Sequence, residues 1–331
     1  MNSSAFEQAA KASIDLYHDL NLGTYMVATA VDTFLCGVMI VQFFDYWNYS
    51  RDDRRFNQIM VLITTTSSLA ATIYITHMMF KLFVYDFGHY APFGATMDVM
   101  WMCIFDIIPS TATQIFFAHR AYNLNGKSKT LLISMIITIL ASVIGSIATP
   151  LTQKQDSNNV WSSNETIGTA FTYLGLSGAL AADIIITGSI MWGLSKSRTG
   201  WMETDKMITK LIRIGIETQL PPTLLLIAFF VVIFGFPDTY LNVFPLWVQS
   251  KIYTCGLLAS LNSRYALRSA RSHGNMSSST SKTPAKTVVH VLTETYVHRD
   301  DEIYSPSHTQ NPTVQSSVNR DEVSPHRRSV K

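Results

Sequence analysis

Five ionisable side chains interrupt long apolar stretches of this chain: Asp32, Asp106, Asp183, Glu217 and Lys251. A charged side chain that faces hydrocarbon costs roughly 3 kcal/mol or more, so we expect all five to face a bundle interior or a water-filled cavity. Such a group of residues can form ion pairs, hold and move protons, or bind a polar ligand. Four acids and one lysine cannot pair one to one, and burial favours the neutral form, so some carboxyls should be protonated or solvated.

Lys251 lies near the middle of its apolar segment, 241–262. Asp106 and Asp183 are the acids expected near the same depth, so the sequence predicts that Lys251 pairs with one of them. The network could simply fix helix packing through an ion pair and hydrogen bonds to hydroxyls. The same residues could instead line a ligand pocket or an ion pathway. A retinal Schiff base is a third interpretation, but Gln249 and Ser250 precede the lysine where microbial rhodopsins usually carry an Asp.

The elements that must position these residues are seven apolar segments, each long enough to cross the roughly 30 Å hydrocarbon core of a bilayer. Their apolar character is continuous rather than alternating, which indicates helices. The sequence therefore predicts an all-α polytopic membrane protein, a seven-transmembrane-helix bundle. The segments are 24–46, 57–80, 98–119, 130–149, 169–194, 209–235 and 241–262.

The distribution of basic residues predicts the orientation of the bundle. Fourteen Lys and Arg residues follow the odd-numbered segments, and three lie on the opposite side. The positive-inside rule then places the N-terminus outside and the C-terminus in the cytosol. We predict an extracellular N-terminal segment at 1–22, the bundle at 23–265 and a disordered cytoplasmic tail at 266–331.

Composition and motifs argue against catalysis. Only 15% of residues are charged and 47% are hydrophobic, so the lipid bilayer is the expected environment and nucleic acid is not an expected partner. Cys36, Cys103 and Cys255 all lie inside predicted spans, so no outer disulfide is expected. We find no metal-ligand spacing, no Gly-rich phosphate loop and no catalytic Ser/His/Asp arrangement. The prediction is a non-enzymatic protein without a metal or cofactor.

Several further sites follow from local motifs. Asn164 lies in a glycosylation sequon of the longest predicted outer loop. Thr283, Ser305 and Ser324 each precede a proline in the polar tail and are candidate phosphorylation sites, and the tail is a candidate docking segment for a cytosolic partner.

Two local signals concern helix shape and packing. Pro221 and Pro222 should kink the sixth span, because proline removes backbone donors. The Gly, Ser and Ala residues at 175–182 predict close packing against a neighbouring helix within the bundle.

The chain resembles a large fungal family of uncharacterised seven-span membrane proteins defined by a C-terminal domain of unknown function. The resemblance covers residues 20–265, and it implies a seven-helix fold with the defining domain at about 175–265. It implies no activity. The residues that carry it are Asp53-Arg54-Arg55, Gln114 to Arg120, Ala182-Asp183, Ser197 to Gly200, Thr204-Asp205, Ile212-Arg213, Glu217-Thr218, Lys251 to Tyr253 and Leu257 to Arg264.

These observations together favour an integral protein of the plasma membrane rather than an internal membrane. We predict receptor-like sensing of a small molecule through the intramembrane polar network. The alternatives are a transporter of small solutes or protons, and a structural organiser of the membrane.

Overall fold

The computed structural model describes residues 3–50, 53–94, 96–152, 165–198, 202–237 and 239–278. All regular elements within these ranges are helical, which confirms the all-α prediction. A π-helical turn at Lys81–Tyr85 continues α3, and short 3-10 helices at Ala91–Gly94 and Tyr240–Asn242 precede α4 and α8. The α-helices are α1 Ser3–Asp15, α2 His18–Tyr49, α3 Arg55–Phe80, α4 Thr96–Leu124, α5 Lys129–Thr152, α6 Glu165–Lys196, α7 Met202–Gly235 and α8 Val243–Ser278.

Among the described residues, five helices are long and apolar enough to cross a membrane, over His18–Asn48, Arg55–Tyr85, Lys129–Thr149, Ile167–Lys196 and Asp205–Gly235. Large apolar side chains cover the outside of these helices, among them Phe34, Ile73 and Trp192, which are at least 70% exposed. Such a surface matches lipid rather than water. The seven predicted segments coincide with α2 to α8, of which α4 and α8 are not among the five candidate spans.

The helices α4 and α8 are enclosed by their neighbours. No residue of α8 from Val243 to Tyr265 is exposed, and the exposed residues of α4 after Met102 form one narrow stripe. That stripe consists of Ile104, Ile108, Ile115, His119 and Asn123. A helix that other helices shield from lipid can carry buried polar residues, such as Asp106 on α4 and Lys251 on α8.

The first and last long helices, α2 and α8, lie side by side and parallel. Contacts between them follow in the same order along both helices, so the residue numbers rise together. From one end of the bundle to the other, these contacts are Tyr25 with Trp247, Leu35 with Cys255, Gln42 with Asn262, and Tyr46 with Tyr265. Because α2 and α8 run in the same direction, the chain between them must return to the end of the bundle at which α2 begins.

Small residues bring α5 and α6 into backbone contact. A Cβ atom at Gly178 would lie 2.6 Å from the backbone nitrogen of Ser142, and one at Gly145 would meet the backbone of Gly175. These distances leave no room for a side chain, so the two helices approach as closely as their backbones allow. The predicted packing role of the 175–182 stretch is confirmed.

The two ends of the bundle differ in character. At the end called here the basic end, Phe56 of α3 meets His119 of α4, and Arg120 Nη1 donates a hydrogen bond to Ser260 Oγ of α8 at 3.2 Å. The opposite end, called here the lid end, holds α1 and the aromatic side chains around Trp247.

The last helix is longer than the predicted seventh span, 241–262. The helix α8 continues to Ser278, beyond the boundary at residue 265. Its residues after 265 include Arg268 and Arg271, and a polar sequence is compatible with a helix that projects past the bundle. The tail residues Thr283, Ser305 and Ser324, like Asn164, lie outside the described ranges.

The paired prolines do not interrupt α7. This helix runs from Met202 to Gly235 with Pro221 and Pro222 inside it, and α4 likewise contains Pro109. Neighbouring helices can tolerate the lost backbone hydrogen bonds inside a membrane bundle. A kink at Pro221 stays a prediction.

The N-terminal segment contains a helix that the sequence analysis did not anticipate. Ile14 of α1 is fully buried, and Asn21 Nδ2 donates to the Ile14 carbonyl at 3.3 Å. The Glu7 carboxylate accepts hydrogen bonds from the backbone N–H groups of Tyr90 and Ala91, at 2.5 and 2.9 Å. These contacts fasten α1 across the lid end of the bundle.

The Glu7 contact predicts that α1 detaches in acid. The backbone N–H of Tyr90 is the main group that holds the pKa of the Glu7 carboxyl below its ordinary value. Because the pKa of Glu7 is lower in the folded protein than its ordinary value of 4.5, the ionised carboxylate stabilises the docked α1 at any pH above 4.5. This stabilisation is lost as the pH falls through the lowered pKa of the folded protein. We expect hydrogen-exchange protection of α1, corrected for intrinsic rates, to fall between pH 6 and pH 3.

The control for this experiment is Glu7→Gln, which should show weak protection of α1 at both pH values. Lys11, whose Nζ lies 5.8 Å from the Tyr90 ring centroid, and His89 also face this site. Both are basic groups that attract the Glu7 carboxylate, so neither residue explains a loss in acid. Equal protection of wild-type α1 at pH 6 and pH 3 would refute the proposed role of Glu7.

Candidate intramembrane polar site

The centre of the polar site is an ion pair between α2 and α8. Lys251 Nζ lies 2.5 Å from Asp32 Oδ1, and both side chains are fully buried. The distance defines an ion pair between α2 and α8. The prediction that Lys251 pairs with Asp106 or Asp183 was wrong, because the parallel packing of α2 on α8 places Asp32 nearest.

Asp106 supplies a second carboxylate to the same region. It is buried, and its Oδ1 atom has no hydrogen-bond partner among the residues that the structure describes. It lies close enough to interact electrostatically with both Lys251 and Tyr253. Lys251 therefore contacts the carboxylate of Asp32 and interacts at longer range with that of Asp106.

The third buried acid, Asp183 of α6, forms a separate hydrogen-bonded group. Tyr253 Oη of α8 donates to Asp183 Oδ2 at 2.7 Å, and Gln114 Nε2 of α4 donates to Asp183 Oδ1 at 3.0 Å. Both oxygens of this carboxyl thus accept a hydrogen bond. Tyr253 is two residues from Lys251, so α8 presents one face to Asp32 and another to Asp183.

A pair of hydroxyls joins α3 to the same helix. Ser68 Oγ and Thr254 Oγ1 are 2.8 Å apart, and Ser68 Oγ also donates to the Ser250 carbonyl at 3.3 Å. Ser68, Thr254, Gln114 and Tyr253 are uncharged, and sequence reasoning missed their part in the site. Their positions within apolar segments did not indicate a site, because Ser and Thr hydroxyls in membrane helices commonly donate hydrogen bonds to backbone carbonyls of their own helix.

Glu217 does not belong to this interior group, which corrects the sequence prediction. Its side chain is 57% exposed, and Glu217 Oε1 accepts a hydrogen bond from Arg213 Nε at 2.7 Å. The two residues are four apart on α7, so they meet on one face of that helix. A local ion pair lets an acid remain on the outside of the bundle.

Aromatic side chains lie one to two helical turns from the ion pair, toward the lid end. The ring centroids of Tyr25 on α2 and Trp247 on α8 are 5.4 Å apart, and Tyr25 also contacts Phe93 at 5.5 Å. Trp247 precedes Lys251 by one helical turn, and Tyr25 precedes Asp32 by two turns. The same two helices therefore carry an aromatic contact and, just beyond it, the buried ion pair.

Asp53 organises the connection between α2 and α3 at the basic end. Its carboxylate accepts hydrogen bonds from Tyr46 Oη at 3.1 Å and from Asn57 Nδ2 at 2.8 Å. Gln58 Nε2 donates to the Ser50 carbonyl at 2.6 Å. The Asp53-Arg54-Arg55 motif thus has a structural role through its first residue.

No group of three or more His, Cys, Asp and Glu side chains within the described ranges is arranged to hold a metal ion. Two open grooves line the outside of the bundle near the basic end. One has a volume of about 300 Å³ beside Trp192, and the other has about 440 Å³ along α7.

The helical fold, the apolar outer surface and the buried ion pair define a helical membrane protein. Residues 179–266 match a family of unknown function (DUF6534), which agrees with the C-terminal domain of unknown function that the sequence motifs indicated. Asp183, Lys251 and Tyr253 lie within the matched region, whereas Asp32 and Asp106 lie before it. Comparison with curated protein sequences and with solved structures finds no match.

Proposed function

We propose that this protein is a seven-span, receptor-like integral membrane protein that senses a small molecule at its lid end. The seven spans are α2 to α8, with α4 and α8 as inner helices, as in the fungal family that the sequence resembles. The lid end faces the outside and the basic end faces the cytosol, in accordance with the positive-inside rule. The plasma membrane is the proposed location, and the role is non-enzymatic.

The parallel arrangement of α2 and α8 supports seven crossings. Five helices connect these two neighbours, and an odd number of spans makes the first and last parallel. α4 and α8 have 29 and 36 residues, which exceeds the roughly 20 residues that a crossing needs. Asp106 and Gln114 of α4 and Lys251 of α8 are buried within the bundle, where neighbouring helices replace lipid.

The observation that carries the receptor proposal is the adjacency of the aromatic contact and the ion pair on α2 and α8. A small apolar or aromatic molecule that separated Tyr25 from Trp247 would displace α8 at Trp247. Trp247 lies one helical turn from Lys251, so the lysine would move as well. Lys251 has Asp32 as its partner and Asp106 as a second carboxylate nearby. Exchange between two such partners gives the helix two discrete positions, which is the element that a receptor needs.

Ligand binding tests this proposal directly. The protein in lipid nanodiscs is screened by thermal shift against a library of small apolar and aromatic molecules. A hit should bind wild type and lose at least tenfold in affinity in Trp247→Leu, because the contact at the lid end is removed. A matched control is Trp192→Leu, which changes an exposed Trp near the opposite end. Hits that bind both variants equally would contradict a site beside Trp247.

A proton transporter is the second candidate, and the unpaired Asp106 oxygen is the observation that favours it. Buried carboxyls without a fixed partner are common elements of proton relays. In proteoliposomes with an internal pH dye, a transporter should acidify the lumen under an imposed gradient, and Asp106→Asn should abolish the flux. Glu217→Gln is the control, since Glu217 lies outside the polar site. Ligand binding without flux would select the receptor over the transporter.

A further inference from the structure

One outward face of α7 changes abruptly from charged to apolar. The exposed residues recur every three or four positions, so they form one continuous stripe along the helix. Lys206, Lys210, Arg213 and Glu217 occupy its first part, and every following member of the stripe is apolar. The apolar members are Leu220, Leu224, Ile227, Val231 and Phe234.

The change of character locates the boundary between headgroups and hydrocarbon on this helix. From Leu220 to Phe234 the apolar part is about 21 Å long at 1.5 Å per residue, which covers most of the hydrocarbon core. The charged part, about 16 Å long by the same rise, then lies at the level of lipid headgroups and beyond. Lysine and arginine side chains at this level contact lipid phosphates.

The charged part of the stripe also contains a concave site. A groove of about 440 Å³ is lined by Lys206, Thr209, Lys210, Arg213, Ile214 and Glu217. Arg198, from the connection before α7, approaches the same groove with Nη2 3.5 Å from Thr209 Oγ1. Four basic groups therefore surround one groove, and the carboxylate of Glu217 is already engaged by Arg213.

We propose that this groove binds the headgroup of an anionic phospholipid, with the acyl chains lying along Leu220 and Leu224. The basic side chains match a phosphate and a second negative charge, and the adjoining apolar stripe matches the lipid tails. A soluble anion would match only the first of these features. The combination of both on one helix face selects a lipid.

Lipid binding to the full-length protein in detergent tests this inference. Short-chain phosphatidylserine is titrated against wild type and Lys206→Gln/Lys210→Gln, which leaves the Arg213–Glu217 ion pair intact. Each basic residue near an anionic surface contributes about a factor of five, so the double variant should bind roughly 30-fold more weakly. Both lysines are exposed, so the variant should melt at the wild-type temperature without lipid.

The control is Lys129→Gln/Lys196→Gln, which removes two exposed basic residues outside the groove. It should keep wild-type affinity for phosphatidylserine. An equal loss in both variants would show a general charge effect and overturn the site. Glycerophosphoserine, the headgroup without acyl chains, should bind at least tenfold more weakly than the lipid, and equal binding would overturn the assignment to a lipid. Phosphatidylcholine that binds as well as phosphatidylserine would also overturn it.

Discussion

Replacing Lys251 by Met is expected to destabilise the protein in detergent by roughly 3–5 kcal/mol in the free energy of unfolding. The ammonium is fully buried and lies 2.5 Å from the Asp32 carboxylate, so its removal leaves a buried carboxylate without its countercharge. Asp32→Asn should cost a similar amount, because it leaves the ammonium unpaired instead. Unfolding in graded SDS, followed by tryptophan fluorescence, measures both effects.

The double variant Asp32→Asn/Lys251→Met measures the interaction between these two residues apart from their interactions with other groups. Its loss of stability should be clearly smaller than the sum of the two single losses, because neither member of the pair is left without the other. Asp183→Asn/Lys251→Met is the control and should be additive, since Tyr253 and Gln114 hold Asp183. Recovery in Asp106→Asn/Lys251→Met instead would show that Asp106 is the partner of Lys251 in solution.

Substitution of Gly178 by Ala should destabilise the protein by about 1–3 kcal/mol. In water, Gly→Ala within a helix usually stabilises, so the expected sign is opposite to the intrinsic preference. The reason is the 2.6 Å distance between the added Cβ and the Ser142 backbone, which forces α5 and α6 apart. The melting temperature of the purified protein reports the loss, and Gly145→Ala should act in the same direction.

Gly188→Ala is the matched control on the same helix. A Cβ at Gly188 meets no atom within 4 Å, so this variant should be neutral or slightly stabilising. A fall in melting temperature of equal size at Gly188 and Gly178 would mean that α6 resists alanine for reasons unrelated to its contact with α5.

The helices could be predicted because long apolar runs have few structural alternatives. Each predicted span coincides with one of the helices α2 to α8, and the small-residue stretch around Gly178 lies in the predicted contact. The short helix α1 escaped prediction because its sequence is polar and its stability comes from tertiary contacts such as those of Glu7. Hydropathy carries no information about such contacts.

The candidate site was predicted less well than the fold. Sequence identifies which ionisable residues are costly in lipid, and Asp32, Asp106, Asp183 and Lys251 are indeed buried. It does not specify how helices are arranged around the bundle, so the partner of Lys251 was assigned by depth alone. Glu217 was misplaced for a related reason, since an acid four residues from Arg213 can satisfy itself on the helix surface.

The parallel pairing of α2 with α8 also imposes an order on biogenesis. Asp32 is synthesised roughly 220 residues before Lys251. At 5–20 residues per second, the ribosome needs on the order of 10 to 40 seconds to supply the lysine. During this interval the nascent chain carries an acidic helix whose countercharge does not yet exist. Chains truncated before α8 should therefore remain associated with insertion machinery or be degraded, because they lack the lysine that pairs with Asp32 on α2.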